Sequence, residues 1–244
     1  MTDFYAANAD IYAAVSLPGL PSQLAAIRAV VAEPFNGAVV EVAPGVGTAL
    51  STLAELTSHP LYAVEPSPFM RVGLMSTVAA DGALRERVTI LPGTLREVSD
   101  RLPQALGGIV VFNALGHLEA SELEGFWRFA ARRLVPGGQL VLGLQPPFEP
   151  IEIPWTDFGE SRIGELTYRT AGSASITSDK RARWTLRWTT HGPDGSELER
   201  REASTQWAVV GPDQVTQAAT AVGLQAGGQA AEGSVLCFRQ PEEG

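Results

Sequence analysis

Cysteine is almost absent from this chain of 244 residues, and histidine is rare. The single cysteine, Cys237, cannot form an intramolecular disulfide or build a zinc cluster of cysteines. The three histidines, His59, His117 and His191, are far apart and match no spacing of metal ligands. The composition therefore predicts a protein without an internal disulfide and without a metal site.

Long apolar runs are absent as well. No such run reaches the length of about 18 residues that a membrane-spanning helix needs. Residues 1–10 carry Asp3 and Asp10 and lack the basic and apolar regions of a secretory signal. We therefore expect a reduced, cytoplasmic location and no membrane partner.

Positive charge is scarce, with 18 Lys and Arg against 27 Asp and Glu and a formal net charge of −9. Proteins that bind the phosphates of DNA or RNA usually present a basic patch. The basic cluster of this sequence, Lys180, Arg181, Arg183 and Arg187, lies in a strand-like stretch and is interpreted as the solvated face of a strand. The balance of charge argues against a nucleic-acid partner.

Apolar residues make up 45% of the chain, which is enough for a packed core. Short apolar runs alternate with helical patterns. The predicted strands are 38–42, 61–65, 88–91, 109–113 and 139–144, and the predicted helices are 20–33, 48–57, 68–80 and 121–134. We interpret Ser121 and Glu124 as the capping box of the last helix. This alternation predicts βαβ units and a parallel sheet that is buried on both faces.

The pattern changes after residue 147. Residues 163–210 are typical of longer strands with a turn at 191–195, and they predict an antiparallel hairpin or a three-stranded sheet. The expected order ends with a helix over 212–222 and two short strands, 223–227 and 234–239.

A glycine-containing loop, residues 41–48 (EVAPGVGT), joins the first predicted strand to a helix. Open α/β sheets bind ligands at the carboxyl ends of their strands, and glycines there let a ligand approach the backbone. The dinucleotide fingerprint fails because Leu50 stands at its third glycine position, and no phosphate loop is present. Glu65 ends the second strand, where a carboxylate can accept both hydroxyls of a ribose. A tight turn without a ligand and a solvated strand-end acid are the alternatives.

Four segments carry a family resemblance. In chain order they are VVEVAPGVGTAL (39–50), YAVEPSPFM (62–70), IVVFNALGHL (109–118) and RRLVPGGQLVLGL (132–144). Together they resemble the class I methyltransferases that depend on S-adenosylmethionine (SAM). The resemblance implies an α/β fold, namely a Rossmann-like seven-stranded methyltransferase sheet with helices on both faces and an added antiparallel β-sheet over the active site.

The resemblance also implies a single methyltransferase domain over residues 1–244. The expected parts are an N-terminal helical lid (1–35), a SAM-binding core (36–146), an antiparallel β insertion covering the acceptor pocket (147–211), and the last helix and strands of the core (212–244).

By the same resemblance, the cofactor contacts come from the ends of the strands. Glu41 would hold the methionine end of SAM, and Glu65 would bind the ribose hydroxyls. The other expected cofactor contacts are Tyr12, Ala43, Gly45, Gly47, Pro66, Met70, Gly93, Thr94, Leu95 and Asn113. The family often has an Asp for the adenine amino group after the third strand, whereas this chain has Thr94, which could make one hydrogen bond there.

Residues 113–118 and the stretch after residue 147 resemble small-molecule methyltransferases, above all those that act on nucleotide-linked amino sugars. The expected catalytic residues are His117 and Asn113, and the expected substrate contacts are Tyr5, His117, Glu149 and Trp155. Three roles stay open for His117: a proton acceptor, a hydrogen-bond partner that orients the substrate, or a structural residue.

We therefore predict a SAM-dependent methyltransferase that transfers a methyl group in line to an amine or hydroxyl of a small-molecule acceptor. Its product from SAM would be S-adenosylhomocysteine (SAH), and no metal is expected. Two alternatives stay open, a SAM-binding enzyme of cyclase type that does not methylate and a degenerate binding subunit with this fold. Pairing of two copies as a homodimer is also left open.

Overall fold

A computed structural model describes residues 8–16, 19–177 and 181–242. The helices are α1 (Ala9–Ser16), α2 (Leu20–Val30), α3 (Leu50–Glu55), α4 (Pro68–Ala80), α5 (Gly82–Arg87), α6 (Leu95–Val98), α7 (Ala120–Arg133) and α8 (Pro212–Ala221). The strands are β1 (Val39–Val42), β2 (Leu61–Glu65), β3 (Val88–Pro92), β4 (Leu106–Phe112), β5 (Leu134–Gly143), β6 (Ile153–Ile163), β7 (Leu166–Ile176), β8 (Arg181–His191), β9 (Glu197–Ala208), β10 (Gln225–Ala230) and β11 (Val235–Arg239). Across the described residues, no helix is both long enough and apolar enough to span a membrane.

The chain forms two units. Within the described residues, the larger unit takes in Ser22–Phe148 and Val210–Gly244, and the smaller unit takes in Met1–Pro21 and Glu149–Val209. The larger unit is built on a seven-stranded sheet in the order β10-β11-β5-β4-β1-β2-β3. The strands β1 to β5 pair in parallel, and β11 pairs antiparallel with both β5 and β10. The predicted Rossmann-like seven-stranded sheet is confirmed.

Both faces of this sheet are buried. On one face, Val39 of β1 belongs to an apolar cluster with Ile27 of α2 and Leu53 of α3. The strand residues that point to the other face are equally buried: Val40, Val42, Ile109, Val111, Leu140 and Leu142. Burial on both sides explains why these strands are continuous apolar runs rather than alternating ones.

Two glycines let the chain cross closely over the start of β4. A Cβ on Gly107 would lie 2.5 Å from the backbone carbon of Asn36 and 2.5 Å from the backbone nitrogen of Gly37. A Cβ on Gly108 would lie 2.5 Å from the ring of Phe35, which is almost fully buried. The approach to β1 is therefore fixed by backbone contact with β4.

The smaller unit contains a four-stranded antiparallel sheet in the order β6-β7-β8-β9. Its core includes Trp184 and Trp207, whose rings stack with centroids 5.1 Å apart. Helix α1 packs against β6 and β7, and the Ser161 hydroxyl donates to the carbonyl oxygen of Ala14 at 2.7 Å. Arg201 donates to both carboxylate oxygens of Asp10, at 2.7 and 2.9 Å.

Over 163–210 the structure has three antiparallel strands, β7, β8 and β9, which confirms the three-stranded alternative. The sheet also contains a fourth strand, before this range, that the sequence did not predict. The additional strand, β6, begins at Ile153 and lies at the edge of the sheet. Nearly all of its residues are exposed, and it contains Pro154 and Gly159. A strand exposed on both faces leaves no apolar alternation in the sequence, so the pattern gave no signal for it.

The predicted capping box of α7 is also wrong. The helix begins at Ala120, and its cap is Glu119, which has extended backbone and whose amide donates to the carboxylate of Glu122 at 3.0 Å. Ser121 and Glu124 lie inside the helix. Both pairs have the same three-residue spacing, so spacing alone could not distinguish them.

Gly107→Ala should lower the free energy of unfolding by about 1–3 kcal/mol, because the added methyl overlaps backbone atoms of Asn36 and Gly37. Gly125→Ala in α7 is the matched control, since its Cβ meets nothing within 4 Å. Alanine is favoured over glycine inside a helix by roughly 0.5–1 kcal/mol, so this control should gain stability. Urea unfolding measures both changes, and a Gly107→Ala variant as stable as the wild type would contradict the close crossing.

Candidate functional site

The carboxyl edge of the parallel strands contains a topological switch point. β1 lies between β4 and β2, so the chain leaves β1 and β4 in opposite directions along the sheet. Such a point opens a crevice at the strand ends, where open α/β sheets bind their ligands. Ala43 after β1 and Asn113 after β4 both have left-handed backbone, with φ of +55° and +53°. Strained backbone of this kind is concentrated at functional sites.

The glycine loop is closed on one side and open on the other. Gly47 has a φ of +84°, and a Cβ there would lie 2.7 Å from the side chain of Leu74 in α4. Gly45 has a φ of +60°, and a Cβ there would meet nothing within 4 Å. The loop therefore packs against α4 at Gly47 and presents bare backbone to open space at Gly45, which suits the close approach of a ligand.

The Glu65 carboxylate joins two loops of the site. One oxygen, Oε2, accepts a hydrogen bond from the backbone amide of Gly45 at 2.9 Å, and the other, Oε1, accepts from the amide of Ser67 at 2.8 Å. These two bonds, one to each carboxylate oxygen, orient the group. Glu65 is thus a buried acceptor that is held in one orientation at the carboxyl end of β2.

Arg71 fixes the same turn from the side of α4. Its Nη1 donates to the carbonyl oxygens of Glu65 and Pro66, both at 2.8 Å. Ser67 caps α4, and its hydroxyl accepts from the amide of Met70. Arg71 was not predicted, because nothing in the sequence pattern distinguishes this arginine from an ordinary helix-surface residue.

Glu41 is the second buried carboxylate of the site. Its side chain is only 3% exposed, and its Oε2 atom accepts no hydrogen bond. Its register neighbours are Ala63 on β2 and Val110 on β4, which offer no polar group. Burial and, secondarily, repulsion by Glu65 raise the pKa of Glu41 to about 8. A buried carboxyl without a counter-charge is costly when ionised, so the proton stays on Glu41 to a higher pH than usual.

The loop after β3 uses its polar groups locally. Gly93 has a φ of +135°, and its amide donates to the carbonyl oxygen of Glu65 at 3.3 Å. Thr94 caps the short helix α6, which begins at Leu95: its hydroxyl donates to the Glu97 carboxylate and accepts from the Glu97 amide. The hydroxyl of Thr94 therefore has a structural role, and its contact with adenine stays a prediction.

Asn113 and His117 belong to one short segment at the end of β4. Asn113 is exposed, and its backbone N–H donates to the carbonyl oxygen of Gly143 at 2.9 Å. His117 is half-buried at the end of a 3₁₀ turn, Leu115–His117. The fold places both at the crevice side of the sheet, next to the end of β1. Their catalytic roles stay predictions.

Near the end of β2, the apolar residues differ in exposure. Pro66 is exposed, whereas Met70 is almost fully buried in the core. Phe69 is 46% exposed and was not among the expected contacts. The placement of Pro66 and Met70 beside adenine stays a prediction, and Phe69 is the exposed ring that the sequence analysis missed.

Three of the remaining expected site residues, Tyr12, Glu149 and Trp155, lie in the smaller unit. Tyr12 is half-buried in α1, Glu149 is exposed, and Tyr5 falls outside the described residues. Trp155 is 47% exposed, with the guanidinium carbon of Arg187 4.4 Å from its ring centroid. Their contacts with cofactor or substrate stay predictions.

In the described ranges, no group of three or more His, Cys, Asp or Glu side chains could hold a metal ion.

No family model and no curated protein matches the sequence. Solved structures do match the fold. SAM-bound CalS10, an amino pentose methyltransferase from Micromonospora echinaspora involved in calicheamicin biosynthesis, has a TM-score of 0.69 at 18% identity, covering 91% of this chain and 90% of that one. The sugar N-methyltransferase KedS8 from Streptoalloteichus sp. has a TM-score of 0.70 at 17% identity, with 93% and 92% covered. DesVI from Streptomyces venezuelae has a TM-score of 0.67 at 19% identity, with 84% of each chain covered.

The chain has the class I methyltransferase fold. The similarity extends over both the seven-stranded sheet and the added antiparallel sheet, because about nine-tenths of the chain is covered in two of these comparisons. The predicted fold class is confirmed. Within the methyltransferase fold, Glu41, Gly45 and Glu65 are the residues that the structure brings to one edge of the sheet.

Glu41→Gln should change how stability depends on pH. The folded protein holds the Glu41 proton more tightly than the unfolded chain does, so the free energy of unfolding falls as pH rises from about 4.5 to about 8. The slope of this contribution reaches at most about 1.4 kcal/mol per pH unit. The variant has no carboxyl at this position to ionise. The difference in free energy of unfolding, variant minus wild type, should therefore increase between about pH 4.5 and pH 8 and level off above pH 8.

Urea unfolding at several pH values on both sides of this window measures the difference. Glu124→Gln is the control, because Glu124 is an exposed partner of Arg128 on α7. Its difference from the wild type should be small at every pH. Parallel stability curves for wild type and Glu41→Gln would show that the buried carboxyl does not titrate as described.

Proposed function

We propose that this chain is a SAM-dependent methyltransferase that acts on a small-molecule acceptor. The observation that carries the proposal is the site at the end of β1 and β2, where an open glycine backbone lies between two buried carboxylates. The methyltransferase fold supports it, since CalS10 is described as an amino pentose methyltransferase and was solved with SAM bound.

The residues of this edge fit SAM. Glu65 would accept the ribose hydroxyls, because its carboxylate is buried and oriented by two backbone amides. The open side of Gly45 would let the cofactor lie against the backbone. Glu41 would face the positively charged methionine end, which supplies the counter-charge that its buried oxygen lacks. When bound, SAM supplies a methyl group on a positively charged sulfur, and SAH remains after transfer.

The acceptor would be an amine or a hydroxyl. Two structural neighbours are described as an amino pentose methyltransferase and a sugar N-methyltransferase, so amino sugars are the first acceptors to test. An amine must be neutral to attack the methyl group, and His117 would accept its proton. Asn113 would hold the acceptor at the end of β4. A cytoplasmic location is a further part of this proposal that comes from the sequence, which leaves pairing as a homodimer open.

Calorimetric titration with SAM and SAH tests the cofactor, with NAD as the control ligand. Both SAM and SAH should bind with micromolar Kd, and NAD should not bind. Glu65→Gln should weaken SAM binding about 10–100-fold. The amide of glutamine has one oxygen, which can accept from the N–H of Gly45 or of Ser67 but not from both, and its NH₂ group then faces the other N–H, donor against donor. Glu124→Gln, on the exposed side of α7, should bind as the wild type does. Absence of binding of both SAM and SAH would overturn the proposal.

His117→Gln tests the proton acceptor once an amino-sugar acceptor has been found by product detection. If His117 takes the amine proton, kcat at neutral pH should fall about 10²–10⁴-fold. The loss should shrink as pH rises, because the free amine then forms without a base, and the Kd of SAM should not change. His59→Gln, in the loop before β2, is the matched control. A raised KM with unchanged kcat would contradict a base and support an orienting hydrogen bond.

A further inference from the structure

Glu41 and Glu65 are two buried carboxyls on one face of the sheet with opposite surroundings. Glu65 receives two backbone N–H bonds. Glu41 on β1 is in register with Ala63, two residues before Glu65 on β2. Among the described residues, no donor makes a hydrogen bond to its Oε2 atom. The cluster on this face, built from α2, α3 and the neighbouring strands, consists of apolar side chains. In the described part of the chain, the charged group that acts on Glu41 is Glu65, and it repels negative charge.

These surroundings disfavour an ionised Glu41 in the unliganded protein. A carboxylate that is removed from water without a hydrogen bond or counter-charge is costly, and the usual outcome is that the group takes up a proton. The repulsion by Glu65 acts in the same direction. A positive charge brought next to Glu41 would reverse this preference, because the ionised form would then gain a partner in a region of low dielectric constant.

We infer that Glu41 carries a proton in the unliganded protein at neutral pH and releases it to solvent when a cationic ligand occupies the site. The inference rests on the proposed function, since it takes the methionine end of SAM as the cation. On binding, the O–H bond of the Glu41 carboxyl breaks and the proton passes to buffer. The carboxylate that remains pairs with the positive charge of the ligand.

This exchange makes Glu41 a specificity-determining residue. A neutral ligand gains no affinity from Glu41, because the carboxyl keeps its proton and forms no ion pair. A cationic ligand gains an ion pair, and its apparent affinity increases with pH until Glu41 is ionised in the free protein. Below that point the affinity should fall by up to about tenfold for each pH unit.

Calorimetry in two buffers of different ionisation enthalpy, such as phosphate and Tris, measures the protons released on binding. For SAM at about pH 7 the wild type should release close to one proton, because the pKa of Glu41 is raised to about 8 in the free protein. Adenosine is the matched ligand control, since it carries the ribose and adenine without the methionine charge, and it should release none. The α-amino group of SAM itself titrates in this range. The difference between wild type and Glu41→Gln removes that contribution.

Glu41→Gln should bind SAM with little proton release, and Glu124→Gln should match the wild type. Infrared difference spectra of the wild type provide a second readout that needs no variant: addition of SAM should remove a protonated carboxyl band, and addition of adenosine should not. If SAM binds and the wild type releases no more protons than Glu41→Gln, the inference is wrong and the proposed function stands. If neither SAM nor SAH binds, the proposed function fails first, and the inference fails with it.

Discussion

The bridge that the Glu65 carboxylate makes between Gly45 and Ser67 organises the candidate site. The two amides belong to loops that follow different strands, and each loop leaves the sheet at its carboxyl edge. Because one buried side chain satisfies both, the glycine loop and the start of α4 hold a fixed distance from each other. Arg71 reinforces the bridge from behind, since it bonds the carbonyl of Glu65 itself. The acceptor at this edge is therefore already oriented, and preorganisation of this kind reduces the ordering entropy that binding costs.

The same edge contains Glu41, whose burial lowers the stability of the fold when the carboxyl is ionised. Glu41 is buried on a face lined by apolar residues, and in the described part of the chain its Oε2 atom accepts no hydrogen bond. The left-handed backbone at Ala43 adds a further local cost of roughly 1–2 kcal/mol. Strained backbone of this kind is concentrated at functional sites, and a buried unpaired acceptor is another feature that a well-packed core seldom contains. The two buried carboxyls, Glu41 and Glu65, lie at the same edge as the open backbone of Gly45, and the proposed SAM site is built on this combination.

Much of the larger unit could be predicted because its signals are local. Parallel strands that are buried on both faces appear as short apolar runs, and the boundaries of β2 and α4 follow directly from the residues around Glu65 and Ser67. The errors occurred where burial and local pattern are uncoupled. β6 is exposed along nearly its whole length and left no alternation. The cap of α7 had two equivalent spacings, and only the course of the chain before the helix selected Glu119.

The sequence by itself determined the order of the parallel strands and of the longer helices between them, the glycine loop, and the two acids that end or nearly end the first two strands. Those features depend on periodicity and residue type over a few neighbours. Only the tertiary structure decided that the Gly45 amide meets Glu65, that Arg71 holds the turn, that Thr94 is committed to a helix cap, and that the Oε2 atom of Glu41 meets no donor in the described part of the chain. Each of these depends on the distance between side chains and backbone groups from separate elements and on the exclusion of water. Neither quantity can be read from spacing along the chain.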